Sequence, residues 1–361
     1  MSISADIRNR TTRSLLVLLG FAAFLLPLTG PAKAAEPDPF YGVISQSHMS
    51  NDEFDTMKWG RLGSFRLPVD WGTVDNGRGE YDWGALDHAV EATARRDIEL
   101  LPVLYNTPAW LAGDRRRVPI WSSYAITKWR TFLRALVLRY GSDGTFWSDN
   151  PDIPVKPVTK WQIWNEPNIR YFAYPVSPKR YAKLQRISAA AIRGADPEAK
   201  IVTAGFYANV PDGKGMDAGP YMKRLYKIRS FRSSFDIAAI HPYARTTRES
   251  IQRTYPIRRV MDRNGNRNRR LAVTELGWGS DSATVFGMGD RQKQATQLTS
   301  AYRGFLNHRK RLKLSSVYWF SWSDLPVGAK TCAFCLETGL FDNAGEAKPA
   351  WFRLLDFTHD L

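Results

Sequence analysis

Short apolar runs alternate along this chain with amphipathic stretches of helical period, and the alternation restricts the fold more than any other feature. Eight runs have the length and composition of buried strands: 40–45, 63–67, 98–105, 159–164, 200–203, 235–240, 270–274 and 315–320. Apolar residues recur at helical spacing between several of them, at 83–96, 124–140, 181–193 and 221–228. Strands that alternate with helices are typical of a parallel sheet covered by helices. Because no Pro-, Gly- or Ser-rich linker interrupts the series, residues 35–361 are predicted to form one α/β domain, a single (β/α)8 TIM barrel.

Residues 1–34 have the pattern of a secretory signal peptide. Three arginines precede a nearly apolar segment, 14–28, and the small-residue site AKA follows at 32–34. The apolar segment is shorter than the roughly 20 residues that span a bilayer, which favours cleavage after Ala34; an uncleaved membrane anchor stays an alternative. No later stretch is apolar enough to cross a membrane. We therefore expect a secreted, extracellular protein.

Two glutamates follow or end predicted strands about a hundred residues apart. Glu166 lies in WNEPN (164–168), and Glu275 lies in TELGW (274–278). In a barrel of this kind the carboxyl ends of all strands meet on one face, where the chemistry is located. Two carboxylates that face each other across a cleft are the groups that cleave a glycosidic bond, because one protonates the leaving oxygen while the other attacks the anomeric carbon.

Further polar side chains are predicted on the same face. Arg66, near the end of the second strand, would keep Glu275 ionised, and the Tyr243 hydroxyl would donate to the same carboxylate. Asn165 would bind the sugar 2-hydroxyl. His241, after the sixth strand, would orient Tyr243 or the acid. Purely structural roles stay open, since an arginine before Leu-Pro can cap a loop and a histidine before proline is often structural.

Aromatic side chains cluster after the same strands and would present flat apolar faces to sugar rings. They are Trp71, Tyr105, Trp110, Tyr171, Phe172, Tyr174, Tyr207, Trp278 and Trp322. We expect Trp322 to form the floor of the subsite next to the cleaved bond, with Trp278 and Trp110 as further substrate-binding residues. Trp319 lies an odd number of positions away and is expected to face the helices. Packing in the core or in loops is the alternative for each of them.

Four motifs together resemble glycoside hydrolase clan A. They are NEP (165–167), HPY (241–243), TELGW (274–278) and WFSW (319–322), in order and at matched strand ends. The resemblance covers essentially the whole mature chain and is greatest to enzymes of the family 39 and family 5 type, which include bacterial exopolysaccharide hydrolases. It implies a retaining β-glycosidase of polysaccharides or oligosaccharides, with Glu166 as acid/base and Glu275 as nucleophile.

Two other classes of protein remain as alternatives. A secreted carbohydrate-binding barrel without activity is disfavoured because both glutamates and Arg66 are present. A metal-dependent hydrolase is disfavoured because only one of the five histidines, His241, directly follows a strand. We therefore expect neither a metal nor another cofactor.

The chain is strongly basic, with a formal net charge of +16 that falls to +13 when residues 1–34 are removed. Such a charge favours anionic surroundings, including acidic polysaccharides. No nucleic-acid-binding motif accompanies it. Residues 258–270 are expected to form a solvated loop, whereas Arg115, Arg116 and Arg117 follow a strand and would meet a negatively charged substrate.

The two cysteines, Cys332 and Cys335, are predicted to form a disulfide that pins one loop, as an oxidising compartment favours. A zinc site would need two further ligands, and a thioredoxin-like motif would need a different structural context. The loops that follow the strands are modest in length and no appended binding module is visible. These features favour an open groove and endo action, and we also expect a monomer.

Overall fold

The computed structural model describes residues 36–280, 285–326, 328–329 and 332–359, so the predicted signal peptide lies outside the described residues. Eight parallel strands close into a barrel in sequence order, which confirms the predicted (β/α)8 fold. The last strand pairs with the first, with Ile44 opposite Phe320. The strands are β1 (Asp38–Ile44), β2 (Leu62–Asp70), β3 (Glu99–Tyr105), β4 (Lys160–Ile163), β5 (Lys200–Tyr207), β6 (Ile237–His241), β7 (Arg270–Leu276) and β8 (Leu314–Phe320).

Helices cover the outside of this barrel. They are α1 (Asn51–Trp59), α2 (Trp71–Val74), α3 (Gly84–Ala94), α4 (Ser123–Tyr140), α5 (Thr145–Asp149), α6 (Pro178–Arg193), α7 (Ala218–Tyr226), α8 (Thr247–Arg263), α9 (Arg291–Leu312) and α10 (Pro349–Thr358). Serine caps begin α4 and α6: Ser122 accepts from the backbone of Ala125, and Ser177 accepts from that of Arg180. Such caps satisfy backbone donors that the first helical turn leaves free. None of the described helices is long and apolar enough to span a membrane.

Polar side chains join strands inside the barrel, directly below the carboxyl ends. Gln162 of β4 accepts from Arg66 of β2 at 2.7 Å and donates to the carbonyl of Thr203 in β5 at 3.1 Å. Its amide also donates to the Thr274 hydroxyl of β7 at 3.3 Å. All four residues are buried. This network fixes the relative positions of strands that carry the predicted site.

Several predicted bounds are wrong. Strand β2 continues past Pro68 to Asp70, so Arg66 lies within the strand rather than near its end. Part of the predicted loop 258–270 is helical, since α8 continues to Arg263. The predicted exposure is also wrong for Arg258, which is only 2% exposed. Its guanidinium donates to Asp262 and to the carbonyl of Arg269 at 2.7 Å. These contacts explain how a charged residue is buried there: its donors are satisfied within the helix and the turn that follows.

Cys332 and Cys335 form a disulfide, with their Cα atoms 5.2 Å apart, as predicted. It closes the loop that leads into a short 3-10 helix, Ala333–Glu337. Gln46, from the loop after β1, donates to the carbonyl of Cys335 at 2.7 Å. The disulfide loop is thus attached to the carboxyl-terminal end of β1.

Candidate active site

Two glutamates lie together at the carboxyl-terminal end of the barrel. Glu166 comes shortly after β4 and Glu275 is near the end of β7, with exposed fractions of 5% and 8%. One carboxylate oxygen of each lies within 4.8 Å of the other and of a ring nitrogen of His241. Retaining glycosidases hold their two carboxyl groups about 5–5.5 Å apart, whereas inverting ones need about 6.5–9.5 Å. The pair has the shorter spacing.

The backbone around Glu166 is strained. Trp164 and Glu166 adopt positive φ angles of 68° and 38°, a conformation that costs non-glycine residues about 1–3 kcal/mol each. The surroundings fix this conformation: the Trp164 indole donates to the carbonyl of Phe172 at 2.9 Å. The Asn168 amide donates to the carbonyl of Tyr207 at 2.8 Å and accepts from its backbone N–H at 3.0 Å. Trp164 and Asn168 therefore hold the loop that directs Glu166 into the site.

Arg66 connects two of the predicted residues, Glu275 and Asn165, with the buried Gln162. Its Nη1 donates to Glu275 Oε1 at 2.7 Å, its Nη2 donates to Asn165 Oδ1 at 2.8 Å, and its Nε donates to Gln162. The side chain is 1% exposed, so this ion pair is buried. Because the Asn165 oxygen is occupied by Arg66, the amide Nδ2 of Asn165 is the group available to donate to a substrate.

His241, the last residue of β6, and Tyr243, two residues later, contact the two glutamates. The Tyr243 hydroxyl donates to Glu275 Oε2 at 2.9 Å. His241 Nδ1 lies 2.6 Å from Glu166 Oε1 and 3.4 Å from Glu275 Oε2. Its Nε2 lies 3.0 Å from the Thr274 hydroxyl. Gly205 of β5 makes room for this ring, since a Cβ at that position would lie 1.9 Å from His241 Nε2.

Burial and neighbouring charges act differently on the two carboxyls. Burial raises the pKa of Glu166 well above its ordinary value, and the charge of Glu275 raises it further, against the effect of Arg66. Burial also raises the pKa of Glu275, but the Arg66 charge and the hydrogen bonds from Tyr243 and Arg66 lower it. The Tyr243 pKa is raised by burial and by both carboxylates, so the phenol stays a donor. Of the two acids, Glu166 therefore holds its proton to higher pH.

His241 is neutral in this site. Burial lowers its pKa well below the ordinary value, and the nearby Arg66 charge lowers it further. A neutral imidazole has one nitrogen that donates and one that accepts. Its Nδ1 can therefore accept from protonated Glu166 or donate to ionised Glu166, with Nε2 taking the opposite role toward Thr274.

The glutamates lie at the base of a cleft with a volume of about 1110 Å³. Aromatic side chains from several loops line it: Tyr105, Tyr171, Phe172, Tyr207, Tyr243, Phe320 and Phe334. The first four were among the aromatic residues expected from the sequence to bind sugar. Tyr171 is 71% exposed, so its ring is free to stack on a ligand.

The three tryptophans predicted to bind substrate lie elsewhere. Trp322 is 1% exposed, and its indole donates to Glu53 at 2.9 Å. Its ring packs against that of Phe341, with the ring centroids 4.6 Å apart. Trp278 is fully buried and donates to the carbonyl of Ala244 at 2.8 Å. Trp110 is 36% exposed and donates to the carbonyl of Asp75 at 2.8 Å. None of the three is among the described residues that line the cleft.

From the end of β8, Phe320 lines the cleft, and Trp322 does not. Strand β8 ends at Phe320, so the alternation of side chains that points Phe320 and Tyr318 inward does not extend to Trp322. Trp319 is buried, as expected for a side chain that alternates with inward-facing Tyr318 and Phe320; its ring is tilted against that of Trp278, with centroids 6.0 Å apart. The end of the strand at residue 320 could have indicated from the sequence that Phe320 is its last inward-facing residue.

Some site residues had no role in the sequence analysis. Gln162 and Thr274 are polar residues inside otherwise apolar strands, a pattern that could have indicated them. Phe334 and Gln46 gave no such signal, since their positions depend on the fold of two loops. Phe334 lies in the disulfide loop with its ring 5.3 Å from that of Tyr243.

Glu166, His241 and Glu275 also have the donor types and spacing of metal ligands. However, the Arg66 guanidinium lies 2.7 Å from Glu275 Oε1 and already supplies a positive charge there. A divalent cation on the same carboxylate would be repelled by it. The donor set therefore suits an ion pair and a proton-transfer group better than a metal.

Glycoside hydrolases of families 39 and 5 are among the solved structures that this chain resembles. A family 39 glycoside hydrolase from the gut symbiont Bacteroides cellulosilyticus WH2 is 16% identical, with a TM-score of 0.66 over 88% of this chain and 63% of that chain. A monomeric beta-xylosidase from Caulobacter crescentus CB15 is 18% identical, with a TM-score of 0.65 over 90% and 69%. A GH5_18 protein from Streptomyces cattleya in complex with Manb1-4GlcNAc is 16% identical, with a TM-score of 0.65 over 89% and 80%.

The first of these structures is substantially longer than this chain, which spans 63% of its length. At sequence identities of 16–18%, the likeness to these structures is evidence for the fold alone. No protein-family model matches the sequence, and no curated protein does.

Proposed function

We propose that this chain is a secreted retaining glycoside hydrolase that cleaves β-glycosidic bonds of a polysaccharide or oligosaccharide by double displacement. The observation that carries the proposal is the buried carboxyl pair, with one oxygen of Glu166 within 4.8 Å of one oxygen of Glu275. Only a short spacing of this kind lets one carboxyl bond to the anomeric carbon while the other reaches the leaving oxygen. A β-xylosidase and a Manb1-4GlcNAc complex among the structural neighbours support a β-linked substrate.

In the first step, the Glu275 carboxylate attacks the anomeric carbon and forms an ester bond to the sugar. The bond to the leaving oxygen breaks, and protonated Glu166 transfers its proton to that oxygen. Arg66 and Tyr243 hold Glu275 ionised and oriented, at 2.7 and 2.9 Å. The Nδ2 group of Asn165 is placed to donate to the sugar 2-hydroxyl, an interaction that strengthens as positive charge develops on the ring.

In the second step, Glu166 takes a proton from water, and the water oxygen displaces Glu275 from the anomeric carbon. The product keeps its anomeric configuration. Glu166 alternates between its two protonation states, and neutral His241, 2.6 Å away, can hydrogen bond to both by exchanging the roles of its ring nitrogens. His241 is therefore a positioning residue for the acid/base.

We also propose endo action by a monomer. The cleft of about 1110 Å³ is lined by loops that follow strands on both sides of the barrel, including β1, β3, β4, β5 and β8. Exposed Tyr171 and half-buried Phe172 extend the apolar surface away from the glutamates. Both features suit a chain that binds over more than one sugar residue.

The test is the anomeric configuration of the first product, followed by proton NMR on defined β-linked glycans. We expect retention, and an inverted product would refute the double displacement. Glu275→Gln should abolish hydrolysis. Glu166→Gln should lose about 10²–10⁴-fold on natural glycans but keep activity on dinitrophenyl glycosides, whose leaving group needs no proton. Binding without hydrolysis by the wild type would instead indicate a carbohydrate-binding barrel.

A further inference from the structure

The charged side chains that line the cleft are distributed asymmetrically. Apart from Glu166 and Glu275, the described lining residues include no carboxylate. They include several cations besides Arg66, all on one rim: Arg115, Arg116, Arg170 and Lys214. We call these four residues the cationic rim. The side of the cleft formed by the loops after β1 and β8 contributes neutral residues, among them Gln46, Phe320 and Phe334.

The cationic rim is built by three neighbouring loops that contact one another. Arg115 and Arg116 follow β3, Arg170 follows β4, and Lys214 follows β5. The backbone N–H of Arg170 donates to the carbonyl of Lys214 at 2.8 Å. Arg116 Nη1 reaches the carbonyl of Arg170 at 3.4 Å. The loops that carry the four cations are therefore in contact, and Glu166 lies four residues before Arg170 in one of them.

Half of this charge is already compensated within the protein. Arg115 pairs with Asp70, and Arg116 pairs with Asp114 through two hydrogen bonds of 2.8 and 2.9 Å. Arg170 and Lys214 have no carboxylate partner in the described part of the chain, and both are exposed. Asp212, two residues before Lys214, makes no ion pair with either of them among the described contacts. Two positive charges thus remain available at the cleft.

An aromatic surface runs alongside these two cations. Tyr171, directly after Arg170, is 71% exposed and lies edge-on to Phe172, with ring centroids 4.8 Å apart. Phe172 in turn lies 6.2 Å from Tyr105. Aromatic faces bind the apolar face of a sugar ring. A ring stacked on Tyr171 would lie beside the adjacent residue, Arg170.

We propose that the substrate is an acidic glycan whose hexuronic acid carboxylates bind to Arg170 and Lys214; the proposal rests on the glycosidase function argued above. A guanidinium can pair with a carboxylate through two parallel hydrogen bonds. A hexuronate carries its carboxylate directly on the ring, close to the face that stacks, so one residue can engage Tyr171 and Arg170 together. A neutral glycan would leave both cations without a partner.

The test compares glycans that differ only in this group. The β-1,4-glucuronan and β-1,4-mannuronan hexamers carry carboxylates at C6, and cellohexaose and mannohexaose are their neutral counterparts. Calorimetric binding to the full protein and hydrolysis are measured for each pair. We expect Kd to be about tenfold lower for at least one acidic hexamer than for its neutral counterpart, a ratio equivalent to roughly 1.4 kcal/mol. Raising the salt concentration should reduce this ratio because the site is open to solvent.

Arg170→Gln/Lys214→Gln should bring the ratio close to one. The matched control is Arg130→Gln/Arg134→Gln, which removes the same charge from the exposed surface of α4, outside the cleft. It should keep the wild-type ratio, which distinguishes a site from general attraction to a basic protein. A wild type without acidic preference, or equal loss in both double variants, overturns the inference. If the wild type has no acidic preference but hydrolyses the neutral hexamers, the inference about acidic substrates fails and the glycosidase proposal stands. If it prefers the acidic hexamers but hydrolyses none of the glycans, the glycosidase proposal fails.

Discussion

Replacing Arg66 with methionine removes the positive charge that Glu275 contacts while keeping most of the side-chain volume. Arg66 is 1% exposed and donates to Glu275, Asn165 and Gln162 at 2.7–2.8 Å. Removing one partner of a buried ion pair costs about 3–5 kcal/mol of stability. Of this, roughly 1–3 kcal/mol together reflects the oxygens of Gln162 and Asn165, which lose their donor, and this part does not depend on pH. The remainder, about 2 kcal/mol, belongs to the charge of Glu275.

That remainder depends on pH with a defined sign. Burial raises the pKa of Glu275, and loss of Arg66 raises it further. An unfolded glutamate loses its proton near pH 4.3, so above this pH the folded variant holds a proton that the unfolded chain has released. Stability then falls as pH rises. We expect Arg66→Met to lose about 3–5 kcal/mol at pH 7 and about 2 kcal/mol less at pH 4, measured by urea unfolding.

The same substitution should affect catalysis. A protonated Glu275 cannot attack, so kcat/KM should fall roughly 10²–10³-fold and its acidic limb should move to higher pH. The control Arg193→Met removes an ion pair with Asp236 whose side chains are about one-third exposed, and should cost about 1 kcal/mol or less at both pH values. Equal losses by Arg66→Met at pH 4 and pH 7, with an unmoved acidic limb, would refute the role assigned to Arg66.

Two further predictions concern the walls of the site. Tyr243→Phe removes the 2.9 Å hydrogen bond to Glu275 but keeps the ring packed against Phe334. We therefore expect kcat/KM to fall about tenfold with little change in melting temperature. An unchanged kcat/KM would exclude this hydrogen bond from the mechanism. Cys332→Ser/Cys335→Ser opens a loop of four residues, for which loop entropy predicts a loss of about 2 kcal/mol, checked by guanidinium unfolding. The double variant should also raise KM because Phe334 and Cys335 line the cleft, and an unchanged KM would show that the loop does not shape it.

The carboxyl pair was predictable from the sequence for a physical reason. Both glutamates lie at or just after strand ends, and a parallel barrel brings all such ends to one face. The contacts of Glu275 with Arg66 and Tyr243 also agree with the expectation. The predicted end of β2 was nevertheless wrong. The strand continues past Pro68, so Arg66 lies within it.

What the sequence could not provide was the position of residues beyond a strand end. The alternation of side chains holds only while the backbone is extended, so it located Trp319 correctly and Trp322 wrongly. Helix α8 was missed for a different reason: its many arginines suggested solvent, although Arg258 is buried through hydrogen bonds with backbone carbonyls. Contacts between loops, such as the one that joins Arg170 to Lys214, depend on the closed barrel and have no local sequence signal.

The different roles proposed for the two glutamates follow from their partners and not from their burial. Glu166 and Glu275 have nearly equal exposure, 5% and 8%, so desolvation raises the pKa of both. Glu275 receives a cation and a phenol, which stabilise its charged form, whereas the imidazole of His241 beside Glu166 is kept neutral by its own burial and by Arg66. Arg66 thus lowers the pKa of Glu275 and adds to the effect of burial in lowering the pKa of His241. The environments separate the two acids in the order that a retaining mechanism needs, with the nucleophile ionised while the acid still holds its proton.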